Sequence, residues 1–472
     1  MALSMRAAAS RGTQLLDQLG SERARLDPVR LYWKGRQRLP AVIPKSAPVE
    51  VREMARISRV NVVDIVVTSL VQSLIVEGIR ASQLEDPNDP ESPNVDALVD
   101  PVWDVWQANK LDKRQGGITA AAVAYGRAFG VVVPGVQSQR DASERPTPVV
   151  RGVSPRRMAA LYEDGPDWPT EALERIGGGR YNLYDNEAVY PLQWRDDRLE
   201  AAGEVRTHGF GVSPVVRYEA EDDLDQDDEP VAENPVGHGF DLPMDVVMGQ
   251  VAPLADIQDQ VDVITFNLMV AQHYGAFRQR YIMGWLAKSE SDLLKVGAQR
   301  ILAFEDHPDD LQVGEFAQTD TRSHLDNREA TIRHLATVSQ TPVHELAGTF
   351  INMSADALEA ARASHTAAGD ENRMMAGESW EQALNLAGTM AGIEPDPSAT
   401  VIWRDTTVRS LAESARALGE LADRLHVPGR ALWSRIPRVA QHELEQWAAM
   451  ADESDPVDEL MAMLSRQSQG AL

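Results

Sequence analysis

A helix with two apolar faces limits what this chain can fold into. From about Pro253 to Trp285 the spacing predicts one long helix. On it Leu254, Ile257, Val261, Ile264, Leu268 and Ala271 step by three and four, and Val263, Phe266, Val270, Tyr274 and Phe277 form a second stripe with the same steps. A surface helix of a single domain needs one such stripe. Two stripes require burial from two sides, in a deep core or in a ring of subunits. The helix opens an organising stretch from Gly249 to Asp356. After an irregular segment come a second helix (about Asp320 to Gln340), a loop (Thr341 to Ser354) and a third helix opening at Ala355.

The whole chain, 472 residues, has room for two or three domains around a sizeable core. It has no cysteine, which excludes disulfides and cysteine-ligated metals. Its net charge of −26 argues against diffuse binding to nucleic acid and for a soluble, self-repelling surface. The longest apolar run, Val60 to Val76, is broken by Asn61, Asp64, Thr68, Ser69, Gln72 and Ser73, so no membrane span is expected. Ala7–Ala9 runs straight into Ser10, Arg11 and Gly12, unlike a signal peptide, and synthesis in the cytoplasm is expected.

Along the chain, Leu15, Leu16 and Leu19 predict a short helix ending at Gly20. The basic-aromatic run after Asp27-Pro28, with Tyr32 and Trp33, reads as a packing segment in a loop or short helix. One helix is expected from Glu50 towards Leu74, then a strand near Leu74–Ile79 and a proline-rich acidic linker over 85–101. Helices at Pro101 and Ile118–Tyr125 and a strand at Ala128–Val133 follow. Residues 147–219 form a sheet-rich region with strands at Pro148–Val153, on both sides of Asp185-Asn186, and at "SPVVRYEA". Within it Ser154 and Pro155 predict the cap and first turn of a short helix. The acidic loop 221–240 comes next. Beyond the organising stretch, helix continues to about Leu386, "ATVIWRD" is a strand, and Val408 to Leu425 is an amphipathic helix. Two more helices near Trp433 and Trp447 precede an acidic tail.

Catalytic motifs are missing. The sequence contains no Gly-Lys-Ser/Thr and no Gly-x-Ser-x-Gly. Gly177-Gly178-Gly179 reads as a turn. His344-Glu345 starts like a zinc-protease helix, but Gly348 stands where the second His is needed. Asp223, Asp225 and Asp227 open like a calcium loop, but Asp228 and Asn234 occupy its Gly and Glu positions. No catalytic residue, metal site or cofactor is assigned, and the chain reads as a structural part rather than an enzyme.

The segments in their order resemble the portal protein family of long-tailed, double-stranded DNA bacteriophages, the head-to-tail connector. "GQVAPLADIQDQVDVITFNLMVAQHYGAFRQRYIMGW" resembles the family's first stem helix running into the clip. "ATIRHLATVSQTPVHELAGTFINMSADALEAARA" resembles the second stem helix, the tunnel loop and the long helix behind it. "AYGRAFGVVVP" and "HGFGVSPVVRY" resemble wing segments, and "TVIWRDTTVRSLAESARAL" resembles the return strand and first crown helix. The likeness covers roughly residues 28–450.

This resemblance implies an α+β, mainly helical portal fold assembled as a ring. An α/β wing would occupy residues 1–248, stem helix 1 residues 249–276, and a small α/β clip residues 277–319. Stem helix 2 would span 320–340, the tunnel loop 341–354, the long helix and wing return strand 355–404, and the helical crown with acidic tail 405–472. It implies subunit contacts at Leu254, Ile257, Val261, Ile264, Leu268, Val270 and Tyr274, the second stripe of the helix facing a neighbouring copy. It implies clip basic residues at Arg278, Arg280, Lys288, Lys295 and Arg300. It implies a channel-facing tunnel loop with Pro342, His344, Glu345, Gly348, Thr349, Phe350, Asn352 and Met353. The partners implied are eleven further copies in a dodecamer, double-stranded DNA passing without sequence specificity, the terminase (packaging ATPase), major capsid and scaffolding proteins, and head-completion adaptors, with no membrane. The site of action implied is the portal vertex of the virion, after assembly in the host cytoplasm. Rival readings are another phage structural protein, such as a minor head protein, and a cytosolic α/β enzyme.

Overall fold

The computed structural model describes residues 2–37, 43–44, 46–80, 102–135, 147–163, 168–219, 249–275, 280–283, 301–304, 312–315, 320–348, 355–404, 411–427 and 429–433, with isolated positions from 436 to 450. In chain order the elements begin with α1 (Met5–Trp33), α2 (Val49–Ile57), α3 (Val62–Ser73), β1 (Val76–Arg80), α4 (Val102–Ala108), α5 (Leu111–Tyr125) and β2 (Arg127–Val133). They continue with β3 (Val149–Val153), β4 (Met158–Leu161), β5 (Glu171–Gly177), β6 (Arg180–Tyr184), β7 (Ala188–Arg195), β8 (Arg198–Ala201), β9 (Arg206–Thr207) and β10 (Val215–Glu219). Then come α6 (Ala255–Gly275), β11 (Arg280–Met283), β12 (Ile301–Phe304), β13 (Gln312–Glu315), α7 (Arg322–Val338), α8 (Val343–Ala347), α9 (Ala355–Ala391), β14 (Thr400–Trp403), α10 (Leu411–Leu425) and α11 (Gly429–Trp433). The described residues thus form a mixed α+β fold. They divide into two compact units, one of residues 1–27, 67–250 and 366–472, the other of residues 28–66 and 251–365.

The first unit is built on an antiparallel sheet in the order β4-β5-β6-β7-β8, with β9 on β7. Its central hairpin turns at Asp185, as the alternation predicts. The Asp185 carboxylate accepts the Glu187 and Ala188 amides at 2.8 and 2.6 Å, which closes the turn. The three glycines at 177–179 all have positive φ and carry the chain from β5 to β6, as the turn reading expects. Ala8, Leu15 and Leu19 of α1 are buried with Leu173, Leu183, Tyr190, Leu192 and Leu199 of the sheet. Full burial of such a leucine contributes about 1.5–3 kcal/mol. Gly12 lies on the same face, and a Cβ there would stand 2.8 Å from Leu192 Cδ1. A second core joins this sheet to the β10-β2-β3 sheet through Phe129, Val131, Met158, Tyr184 and Val215. Between them the fully buried Glu174 takes both Arg151 and the Tyr184 hydroxyl, the latter at 2.7 Å. Trp380 of α9 meets Trp106 at 5.0 Å and Tyr218 at 4.8 Å between ring centroids. The return strand β14 pairs antiparallel with β1.

In the second unit α6 packs against α7 and α2. The strands β12-β11-β13 form a small sheet, with β12 parallel and β13 antiparallel to β11.

Several expectations are corrected. The N-terminal helix does not stop at Gly20 but runs to Trp33 with Pro28 inside it. An interior Gly costs about 1 kcal/mol relative to Ala, and the burial of Leu15, Leu19, Val29 and Tyr32 on either side of Gly20 outweighs it. The helix after Glu50 is two helices, because side chains of α6 take the amides of Val60 and Val62. Ser154-Pro155 opens a turn, closed by the Arg157 amide on Ser154 O at 2.8 Å, and not a helix; residues 158–161 are taken up by pairing with β5. The long helix ends at Gly275 instead of Trp285, since residues 280–283 pair with strands distant in sequence. The loop 341–354 contains the short helix α8. The linker 85–101 (up to 101), the acidic loop 221–240 (including the three aspartates of the calcium-like run) and the tail after 452 lie outside the described residues.

Candidate functional site

The organising stretch is tied down by a buried polar cluster that periodicity does not reveal. Gln258 and Asp262 are one turn apart on α6, 0% and 1% exposed. Asp262 Oδ1 accepts the Val60 amide at 2.9 Å, and Oδ2 accepts Gln37 Nε2 at 2.7 Å. Gln258 Oε1 accepts the Val62 amide at 3.2 Å, while its Nε2 donates to Asp262 Oδ1 at 3.0 Å and to Val60 O. One turn earlier in register, the Tyr32 hydroxyl donates to Asp259 Oδ2 at 2.8 Å. The helix therefore supplies the partners that the turn between α2 and α3 lacks. Burial pushes the Asp262 carboxyl above the usual carboxylate range, against the pull of its three hydrogen bonds. Asp259 is raised by burial too, and burial with Asp259 pushes the Tyr32 phenol up. The sequence signal was present as two polar residues spaced i, i+4 beside the first apolar stripe.

At the other end of the stretch, α7 ends at Val338, and Gln340 two residues on has φ +52°. The Thr341 amide reaches Ala336 O at 3.0 Å and the Gln340 amide reaches Thr337 O at 3.3 Å, the paired bonds of a Schellman cap. Pro342 caps α8 at its start, and Gly348, at φ +65°, ends it through its amide on His344 O at 3.1 Å. Glu345 pairs with Arg362 of α9 at 2.9 Å, so this carboxylate ties the short helix to the long one.

The residues expected at the subunit contact fall into two sets. Leu254, Ile257, Val261 and Leu268 are 0–8% exposed within the chain itself, in the core that α6 forms with its neighbours. Ile332, Leu335 and Ala336 of α7 are buried in the same unit, so these four are covered within the chain itself. Ile264 and Val270 are half-buried, while Tyr274 is 45% exposed and its stripe neighbour Val263 is 38% exposed. The second stripe is thus the one left open. Of the clip residues, only Arg280 is described. In register it stands opposite Ile301 and Glu315; Arg278, Lys288, Lys295 and Arg300 lie outside the described residues. Of the loop residues, Pro342 is buried, His344 and Glu345 are half-buried and Gly348 is exposed. Thr349, Phe350, Asn352 and Met353 lie outside the described residues. Among the described residues no group of acids and histidines is placed to hold a metal ion, and no helix is long and apolar enough to cross a membrane.

Comparison with known proteins gives a consistent match. A family model described as "Phage portal protein, SPP1 Gp6-like" matches residues 15–457. The portal protein of Mycobacterium phage L5 is 23% identical over 407 residues, covering 82% of this chain and 76% of the relative. The portal protein of Mycobacterium phage D29 matches with the same identity and coverage. Among solved structures, a chain from the virion of a native gene transfer agent particle covers 84% of this chain and 97% of its own length, with TM-score 0.45 and 14% identity. A chain from the neck of the native particle, computed with C12 symmetry, has TM-score 0.42 and 15% identity, covering 82% and 92%.

Proposed function

Because this chain belongs to the phage portal protein family, SPP1 Gp6-like, we propose that its copies close into a ring whose wall includes α6 and α7. Its function is that of the family: a structural component of the virion, at one capsid vertex, through which double-stranded DNA enters and leaves the head. The observation that supports ring closure is the exposure of Val263 and Tyr274, in a stripe completed by the half-buried Phe266 and Val270, on a helix whose opposite face is already buried. A helix with one face spent inside the chain and a second apolar face exposed has a place for a neighbouring copy.

On this reading α6 and α7 are the stem, the β12-β11-β13 sheet belongs to the clip, and residues 341–354 form the tunnel loop. Twelve copies make the ring. A net charge of −26 per copy repels phosphates, so DNA slides along the wall instead of adhering. Terminase, the separate motor, docks on the assembled ring, which meets capsid and scaffolding proteins during assembly and head-completion adaptors afterwards. Mass photometry and negative-stain imaging of the purified protein test the reading. Rings with an axial hole and a mass of about twelve chains are expected; monomers or closed shells under every condition would refute it.

A further inference from the structure

One stretch of this acidic chain carries net positive charge. Residues 28–66 hold eight Lys and Arg against three Asp and Glu, a net +5, so that the rest of the chain carries −31 of its overall −26. Six of these eight cations, all but Arg38 and Lys45, lie in described residues of the second unit. Arg30 and Lys34 are one turn apart at the end of α1. Arg52, Arg56 and Arg59 recur along α2 and just beyond it at helical spacing. Arg59 Nη1 donates to Gln37 O at 3.0 Å, and Asn61 Nδ2 donates to Trp33 O at 3.1 Å, which sets the two basic runs side by side.

Among the described residues no carboxylate pairs with Arg30, Lys34, Arg36 or Arg52, and all four are exposed. Of the acids in the same neighbourhood, Glu53 pairs with Arg56 at 2.5 Å, Asp259 with Tyr32, and Asp262 with Gln37 and Val60, while Glu50 is exposed at the start of α2. Exposed aliphatic groups are interleaved with the cations, Leu31 at 42%, Val49 at 67% and Ile57 at 50%. Arginine set among aliphatic side chains is the composition of a protein interface. Of the two rings in the run, Tyr32 is buried and bonded to Asp259, and Trp33 is half-buried with the Lys34 ammonium 3.5 Å from its ring centroid, so neither presents a free face for stacking on a base.

We propose that this surface docks on the acidic surface of a second copy of the chain. The proposal rests on the ring reading above. A closed ring needs two different, complementary patches on each copy. Copies that were uniformly acidic would repel one another. A net positive segment at residues 28–66 turns part of that repulsion into attraction across the contact and sets its orientation.

The test uses the full chain and follows the ring fraction by mass photometry against protein and salt concentration. The variant Arg30→Glu/Arg52→Glu is compared with Arg195→Glu/Arg206→Glu, which makes the same charge change at exposed positions of the first unit. Thermal melting of each isolated chain is expected to match wild type. At low salt the first variant should need about tenfold more protein to assemble, or about 1.4 kcal/mol of contact. The deficit should shrink as salt screens the charges, and the control should assemble as wild type does. Normal assembly of the first variant, or an equal deficit in the control, would overturn the proposal. So would normal rings from the first variant that have lost affinity for a short DNA duplex, since that assigns the patch to nucleic acid. Absence of rings in the wild type would count against the ring reading itself, whereas rings insensitive to the patch would count only against this proposal.

Discussion

Asp262 shows how one side chain can hold an element and cost stability at once. Its carboxyl is raised by burial in the folded chain, so the fold binds that proton more tightly than the unfolded chain does. Stability from this group is therefore greatest in acid. It falls as pH rises from the ordinary carboxylate pKa of about 3.9 to the raised folded value. Asp262→Ala leaves the Val60 amide and Gln37 without their acceptor and should cost about 1–3 kcal/mol in denaturant melts. Asp262→Asn should stay within about 1 kcal/mol of wild type and remove that fall with pH. An amide can still accept the Val60 N–H, and a rotated Gln37 would offer Oε1, which is buried without a hydrogen-bond partner, to the new NH2. A melt of Asp262→Asn as weak as that of Asp262→Ala would show that the charge itself is required. Gln340 is a second case. A side chain at φ +52° in a Schellman cap is strained where Gly is not. Gln340→Gly should stabilise the protein by about 0.5–1 kcal/mol, read as a raised midpoint in denaturant with unchanged slope.

Two helices, α1 and α6, show how packing partners decide what each position tolerates. In α1 the residues Ala8 and Gly12 are small because the helix lies close against β7 and β8. Gly12→Val would drive a methyl into Leu192 and Leu199 and should cost about 1–3 kcal/mol, with loss of the cooperative melt of the first unit before the rest. In α6 the two stripes have different fates, and a pair of substitutions separates them. Leu268→Asp buries a charge at a position 8% exposed and should abolish folding. Val263→Asp, at a position 38% exposed, should leave the melting of the isolated chain within about 0.5 kcal/mol of wild type while preventing ring formation. Unchanged rings in Val263→Asp by mass photometry would remove the open stripe from the subunit contact.

For the whole molecule the controlling quantity is net charge. In the ring proposed above, chains at −26 give a channel wall that does not hold phosphates and must overcome repulsion among their own copies. In that proposed ring, apolar contact along α6 and the cation surface of residues 28–66 are two sources of attraction that differ in their response to salt. Screening weakens the attraction of the cation surface and relieves the general repulsion, leaving the apolar contact little changed. The ring fraction of wild type against salt concentration is therefore expected to depend on both terms, and the variants above separate them.

The order of segments in the sequence was enough to identify the family, and the matched family model over residues 15–457 agrees with it. Local pattern also gave the hairpin at Asp185, the triple-glycine turn, the strands β2, β3 and β10, and the helices α6, α7 and α9 apart from their ends. These depend on residues close in sequence, whose side-chain period or turn chemistry is written in the chain itself. Periodicity detected both stripes of α6, yet it could not say which one the chain covers for itself. That choice depends on α2 and α7, distant in sequence, and on Gln258 and Asp262 meeting backbone amides of residues 60 and 62. The same holds for the strand at 280–283, fixed by partners at 301–304 and 312–315, and for the N-terminal helix, which passes Gly20 because its other residues are buried. Where long-range burial and pairing outweigh a local preference of about 1 kcal/mol, only the tertiary structure decides.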